Sequence, residues 1–440
     1  MTDSYLLLGQ TLSFVDDPFR VGPDLAVDHY SRGAVWVEDG LIKAVGPVQD
    51  VRQAAGGLPV IDHGDDLIMA GFVDCHVHYP QFSIIASYGE QLLDWLEKYT
   101  FPAEANFGDP GYAKHAAGLF LDECARNGIT TSSVYATVHS GSVDGFFSVA
   151  SERNLRMVCG KVLMDRNAPD TLLDTAESGY RQSKSLIEKW HGTGRNVYAL
   201  TPRFAPTSSP EQLAAAGALW REFPDVVMQT HVSENIDEIA WVADLFPGAA
   251  DYFGVYEKFG LSGPGAVFGH AIHLNERERR AFRETGSAIA HCPTSNTFIG
   301  SGLFDMQGLR DCDEPVTVGL ATDIAGGSSL SMFATMRSSY EVGQLRGYSL
   351  HPAKAYYLAT VGSARALRLD DRIGNLAAGN EADIVVINLA STPIIANRVA
   401  HANDIWDALF VQMIMADDRA IAATYSGGRL IHSRNKENDV

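Results

Sequence analysis

Four short apolar runs in the second half of the chain each lead directly into a histidine or an aspartate. They are residues 226–230 before His231, 265–269 before His270, 286–290 before His291 and 316–322 before Asp323. Continuous apolar runs of this length are typical of strands buried on both faces of a parallel sheet. Because a (β/α)8 barrel keeps its active site at the C-terminal ends of its strands, the pattern predicts an α/β protein built on a TIM barrel.

A fifth run carries two histidines. The segment GFVDCHVHYPQ at residues 71–81 places His76 and His78 two apart on a predicted buried strand. Side chains at i and i+2 of a strand point the same way, so two imidazoles can converge on one transition metal. A His-x-His pair alone is weak evidence, since two structural histidines have the same spacing. The residues at the other strand ends favour the metal site.

The two ends of the chain differ from the middle in their pattern of apolar and polar residues. Residues 1–69 alternate in the manner of strands and contain an Asp39-Gly40 hairpin signal, and residues 374–440 repeat the texture around Gly427-Gly428. We expect the ends to pair into one small β-sandwich beside a barrel formed by residues 70–373. Loops are predicted at residues 54–57 and 390–399.

Composition restricts the class of protein. The 440 residues are 46% hydrophobic and 20% charged, which indicates a globular chain of enzyme size. A net charge of −20 without a basic run disfavours nucleic acid as a partner. Five scattered cysteines predict reduced thiols in the cytoplasm. No signal peptide and no membrane-spanning run is expected.

Six separated segments carry a family resemblance. Their positions follow the expected order along the barrel, and they read GFVDCHVHYPQ (71–81), LLDWLEKYTFPAE (92–104), TPRFAPTSS (201–209), THVSEN (230–235), HCPTSNTFIGSG (291–302) and LATDIAGGSS (320–329). With these segments the chain resembles the amidohydrolase superfamily and, more narrowly, the guanine deaminase family within it. The resemblance implies a hydrolase acting on C–N bonds of cyclic amidines, which converts guanine to xanthine and ammonia.

The resemblance also implies a metal site. One zinc ion, with iron(II) as the alternative, would be held by His76, His78, His231 and Asp323. Asp323 would take a proton from the attacking water, Glu234 would protonate the purine ring nitrogen, and His270 would stabilise the new oxygen at the tetrahedral carbon. Binuclear members use a lysine at the end of the fourth barrel strand, where this chain has Arg203. Lys161, one strand earlier, is the remaining candidate for a second site.

Substrate contacts are expected from the same region. The donor-only guanidinium of Arg203 suits the carbonyl of guanine, the amide of Gln81 can donate and accept, and Phe204 offers a face for stacking. Arg203 could instead tie a barrel loop by a salt bridge, and Trp95, expected to close the pocket, could be a core residue. The metal-site side chains His78 and His231, together with Glu234, would complete the contacts with the base.

Other functions remain open from the sequence. A deaminase or chlorohydrolase of another nitrogen heterocycle, such as 8-oxoguanine, a triazine or a pterin, would share every metal ligand. A non-catalytic relative would be expected to have lost ligands, and none is missing. Relatives suggest a homodimer, with a small-molecule purine as the other partner.

Overall fold

The computed structural model describes residues 4–88 and 91–434. Within these ranges the strands are β1 Ser4–Phe14, β2 Val27–Glu38, β3 Leu41–Pro47, β4 Val60–Ala70, β5 Phe72–His78, β6 Ile129–Tyr135, β7 Val158–Gly160, β8 Val162–Leu163, β9 Val197–Pro202, β10 Val227–Val232, β11 Ala266–His270, β12 Ala288–His291, β13 Thr317–Leu320, β14 Ile384–Ile387, β15 Ile421–Ser426 and β16 Arg429–Ser433.

The α-helices alternate with the strands of the middle segment. They are α1 Val48–Ala55, α2 Leu92–Trp95, α3 Phe101–Ala105, α4 Pro110–Arg126, α5 Ser140–Glu152, α6 Ala176–Trp190, α7 Pro210–Glu222, α8 Ile236–Leu245, α9 Tyr252–Lys258, α10 Glu276–Thr285, α11 Pro293–Phe298, α12 Met306–Leu309, α13 Met332–Leu345, α14 Pro352–Tyr357, α15 Ser363–Ala366, α16 Pro393–Val399 and α17 Ile405–Met415. π-Helical turns at Leu96–Thr100 and Leu358–Gly362 join α2 to α3 and α14 to α15.

The middle of the chain forms the predicted barrel. Strands β5 to β13 lie in one parallel sheet in the order β13-β12-β11-β10-β9-β7-β6-β5, with β8 beside β9. The first and last strands meet where they end: Asp323 donates its backbone N–H to the carbonyl of His76 at 3.0 Å, and His78 donates to the carbonyl of Ile324 at 3.0 Å. These bonds bring the two ends of the sheet together at the face where the polar residues gather. The prediction of a TIM barrel is confirmed.

Local sequence explains the helices around the barrel. Helix α10 begins at Asn275, whose side chain caps the N–H of Glu278 while Glu278 bonds back, which is the reciprocal capping box. Helix α7 begins after Ser209 with Pro210 in its first turn. Both helices lie where their spacing and caps predict them.

The ends of the chain form a second sheet, as expected. Its seven strands lie in the order β16-β15-β14-β4-β1-β2-β3. Hairpins turn at Asp39-Gly40 and at Gly427-Gly428, and the two turns touch. A Cβ added at Gly40 would lie 2.8 Å from the carbonyl oxygen of Gly427, so this contact requires glycine at residue 40.

Two loop predictions are correct only in part, because residues 56–57 and 390–392 lie outside helices but the other residues of the predicted loops do not. Residues 393–399 form α16, capped by Thr392 and started by Pro393, and α1 continues to Ala55. Helix α17 packs against the barrel helix α13, with the rings of Phe410 and Tyr340 5.1 Å apart. The C-terminal segment therefore contributes helices as well as strands.

The change from sheet to barrel is abrupt. Strand β4 ends at Ala70 and β5 begins at Phe72. We propose 1–69, 70–373 and 374–440 as the domain limits, of which residues 1–3, 89–90 and 435–440 lie outside the described ranges. No helix in the described part of the chain combines the length and the apolar character needed to cross a membrane.

Candidate active site

A cluster of buried histidines and one aspartate lies at the C-terminal face of the barrel. One ligand atom from each of His76, His231, His270 and Asp323 lies within 4.8 Å of the others. His78 joins them, with its Nε2 atom 3.2 Å from Nε2 of His231 and 3.4 Å from Oδ1 of Asp323. The histidines and the aspartate at the predicted strand ends therefore converge on one point, with the exception of His291.

Backbone strain accompanies this convergence. His270 and Asp323 have φ angles of 69° and 49°, a left-handed conformation uncommon for residues other than glycine. Each such residue costs about 1–3 kcal/mol and persists where the surrounding structure enforces it. Both residues lie where a buried strand ends, and both side chains line one pocket.

The donor set fits a transition metal. Burial lowers the pKa of His76 and lowers the pKa values of His78 and His231 well below the ordinary range, so these imidazoles are neutral and offer lone pairs. The Nε2 atoms of His76 and His270 are buried and make no hydrogen bond to the described part of the chain. Imidazole nitrogens with one carboxylate are the ligands of catalytic zinc and iron sites.

Neighbouring groups fix the orientation of the imidazoles. Nδ1 of His231 donates to the carbonyl of Arg203 at 2.6 Å, which leaves Nε2 for a metal. Nδ1 of His270 lies 2.8 Å from the amide oxygen of Asn296. A Cβ at Gly269 would lie 2.6 Å from Cε1 of His76, so the ring of His76 packs directly on the backbone of β11.

Glu234 lies beside the cluster, immediately after β10. Burial raises the pKa of Glu234 to about 7, a value suited to taking up and giving back protons. Its carboxylate accepts from Oγ of Ser301 at 2.9 Å and lies 3.3 Å from Nε2 of His270. Its backbone N–H donates to Glu238 at 3.0 Å, which holds the turn into α8.

The other charged groups of the cluster complement Glu234. Burial lowers the pKa of His270, but the carboxylates of Glu234 and Asp323 outweigh this effect and leave it raised. Burial acts to raise the pKa of Asp323, and the close approach of His76, His270 and His231 outweighs burial and lowers it to about 2. Asp323 is therefore an anion at neutral pH.

The predicted substrate residues line one pocket. Its walls are His78, Gln81, Leu92, Trp95, Leu96, Arg203, Phe204, His231, Glu234, His270, Ser295, Ile299, Asp323 and Gly326. Trp95 is 2% exposed and packs at 6.2 Å on Phe298, so it is both a wall and a core residue. His291 is not among the lining residues, and its ring stacks on Phe304 at 4.3 Å.

Arg203 makes the salt bridge that was the alternative to base recognition, and it also lines the pocket. Its Nη1 atom lies 2.9 Å and 2.7 Å from the two carboxylate oxygens of Glu104. Glu104, Ser301 and Asn296 were given no role from sequence, although all three lie in the quoted family segments. Glu104 and Arg203 are 99 positions apart, so no local spacing in the sequence marks them as a pair.

Lys161 has a partner outside the cluster. Its buried ammonium forms an ion pair with Asp174 and donates to the carbonyl of Val162. All five cysteines are free thiols, and Cys75, next to His76, is buried in the barrel core.

Comparisons with known proteins agree with this geometry. A model of the amidohydrolase family matches residues 67–431. Guanine deaminase of Escherichia coli is 47% identical over 422 residues, covering 96% of this chain and 95% of that protein. Its solved structure superimposes with a TM-score of 0.95 at 45% identity, covering 98% and 100% of the two chains.

A guanine-bound structure is also similar. Guanine deaminase from C. acetobutylicum with guanine in its active site gives a TM-score of 0.87 at 28% identity, covering 98% of this chain and 100% of that one. Such matches do not favour another nitrogen heterocycle as the substrate. The chain therefore belongs to the amidohydrolase superfamily and, within it, to the guanine deaminase family.

Proposed function

We propose that the protein hydrolyses the exocyclic C2–N bond of guanine, with water as the second substrate and xanthine and ammonia as products. The observation that carries this proposal is the shared pocket. The donors of Arg203 and Gln81, the ring of Phe204 and the carboxylate of Glu234 line it together with the His/Asp cluster. A planar base held by the first three residues would present one edge to the cluster.

The carboxylates have separate tasks. Asp323, an anion held against His76, accepts the proton of the attacking water at its carboxylate oxygen. Glu234 protonates the purine ring nitrogen, and its carboxylate then takes the proton of the new hydroxyl at C2 and passes it to the departing amino nitrogen, since its raised pKa allows both directions of transfer. The proton that Asp323 took from water finally restores the acid form of Glu234. His270, 3.7 Å from Asp323, donates to the oxygen that forms at C2.

The proposed metal is one zinc ion per chain, with iron(II) as the alternative. His76, His78, His231 and Asp323 would hold it, and His270, which lies in the same cluster, keeps its Nε2 atom for the new oxygen at C2. The ion would supply Lewis-acid activation of the water. Because Lys161 is paired with Asp174, a single ion is the arrangement that these side chains support best.

Recognition of the base follows from hydrogen-bond complementarity. The carbonyl at C6 of guanine can accept from Arg203, whereas the amino group of adenine cannot. Gln81, whose amide oxygen accepts from the N–H of Ala325 at 3.3 Å, presents its remaining N–H to the pocket. The expected preference is therefore for 6-oxopurines.

Ammonia release from a panel of purines, triazines and pterins tests this function. Guanine is expected to be turned over far faster than adenine, 8-oxoguanine or a chlorotriazine. Absence of guanine turnover by the metal-loaded protein would refute the proposal. The homodimer and the cytoplasmic location remain predictions, and light scattering of the purified protein checks the first.

A further inference from the structure

Glu104 is a buried carboxylate that contacts both residues proposed to read the base. It is 0% exposed and lies on α3, where its oxygens accept from Nη1 of Arg203. Its Oε1 atom also accepts from Nε2 of Gln81 at 3.2 Å. One carboxylate therefore joins two pocket residues that come from different barrel strands.

These contacts fix which atoms remain for a ligand. The amide oxygen of Gln81 faces the N–H of Ala325 and its nitrogen faces Glu104, so the amide has one orientation. Glu104 bonds only Nη1 of Arg203, and within the described ranges Nη2 and Nε of that guanidinium make no hydrogen bond. The same helix turn places the ring of Phe101 5.7 Å from the guanidinium carbon.

The pair of Glu104 and Arg203 also determines the net charge at this end of the pocket. An arginine alone in a buried pocket would attract anions strongly, because opposite charges interact far more at low dielectric than in water. Because Glu104 contacts Arg203, the charges of the two side chains sum to zero, although Arg203 still donates hydrogen bonds. A buried pair of this kind is balanced only while both members are present.

We propose that Glu104 is a positioning residue that aims Arg203 and Gln81 at the base and neutralises this end of the pocket, so that the site takes neutral purines and disfavours anionic ones. The inference rests on the proposed function. Guanine is neutral near pH 7, whereas xanthine loses a ring proton more readily. Neutralisation by Glu104 would therefore favour release of the product over its retention.

The test compares the affinities of two 6-oxopurines that differ in charge. Xanthine and hypoxanthine are titrated by calorimetry into metal-loaded protein at one alkaline pH, where xanthine is an anion and hypoxanthine is neutral. The variants are Glu104→Gln, Glu104→Asp, Arg203→Met and the Glu104→Gln/Arg203→Met double variant. Asp17→Asn, which removes the carboxylate of the buried Arg310 pair outside the pocket, is the matched control.

If Glu104 neutralises Arg203, substitutions of the two residues should shift the preference for xanthine over hypoxanthine in opposite directions. Glu104→Gln should raise the preference for xanthine over hypoxanthine at least about tenfold, and Arg203→Met should lower it, because each leaves the other charge uncompensated. The double variant and Glu104→Asp should return near the wild-type ratio, and Asp17→Asn should not change it. Guanine kcat/KM in Glu104→Gln should fall about 10–150-fold.

The outcomes separate this inference from the proposed function. If wild type deaminates guanine but the xanthine-to-hypoxanthine ratio is the same in all variants, Glu104 is only a packing residue and the inference is overturned. If Glu104→Gln does not fold, the inference is tested by the other two variants. It then requires that the xanthine-to-hypoxanthine ratio falls in Arg203→Met and returns to the wild-type value in the double variant. If wild type binds neither purine and releases no ammonia from guanine, the proposed function itself fails.

Discussion

Oγ of Ser301 donates to Oε1 of Glu234 across 2.9 Å, although 67 positions separate the two residues. The contact joins the loop after α11 to the turn after β10. Ser301→Ala is expected to lower kcat about tenfold, because a hydrogen bond to the working carboxylate is lost. Metal content and Tm should stay unchanged, and equal turnover by wild type and variant would exclude this role.

Glu234→Gln tests proton transfer directly. The amide keeps the shape of the side chain but cannot cycle protons, so kcat should fall by about 10²–10⁴ with the metal still bound. Glu276→Gln, at a 92% exposed position, is the matched control and should behave as wild type. Loss of metal in the Glu234 variant would indicate that Glu234 is a ligand instead.

Arg203→Met tests base discrimination. Removing a charged donor from a carbonyl should cost about 1.5–3 kcal/mol, or roughly 10–150-fold in guanine kcat/KM. Adenine or 2,6-diaminopurine, which lack the carbonyl, should lose much less. The ratio of the kcat/KM values is measured, with circular dichroism as the check on folding. An unchanged ratio would mean that Arg203 only ties the loop through Glu104.

Metal analysis tests the proposed stoichiometry. Purified protein should contain about one zinc or iron per chain, and a chelator should abolish ammonia release until the metal is restored. Two tightly bound ions per chain would contradict the mononuclear site and would direct attention to Lys161.

Asp66 provides a test of stability against pH. Burial, with the neighbouring Asp65 charge, raises the pKa of Asp66 to about 6. The pKa of Asp66 is higher in the folded state than in the unfolded state. Its contribution to stability is therefore fully present below the unfolded-state pKa and is lost as the pH rises through about 6. Asp66→Asn should therefore raise Tm at neutral pH, by about 1–2 °C once partial exposure is allowed for. The difference should shrink as the pH falls below about 6 and vanish below the ordinary aspartate pKa of about 4, and a lower Tm at neutral pH would refute the argument.

The sequence predicts the strand ends better than the contacts between them. The apolar runs locate His231, His270 and Asp323 because period and burial are local properties of each strand. The pairing of Glu104 with Arg203 depends on how a loop helix folds over the barrel, which local spacing does not specify. The loop predicted at residues 390–399 disregards Thr392-Pro393, which is the start signal of helix α16.

The backbone carbonyl of Arg203 holds Nδ1 of His231, while its side chain lines the base end of the pocket. One residue thus serves the chemistry through its main chain and the choice of base through its side chain. Any residue type can supply that carbonyl, so the side chain at position 203 can change in evolution or engineering without turning the imidazole of His231. A shift of the strand would disturb both the orientation of His231 and the recognition of the base. A new base preference is therefore reached more readily by exchanging the side chain while the backbone stays in place.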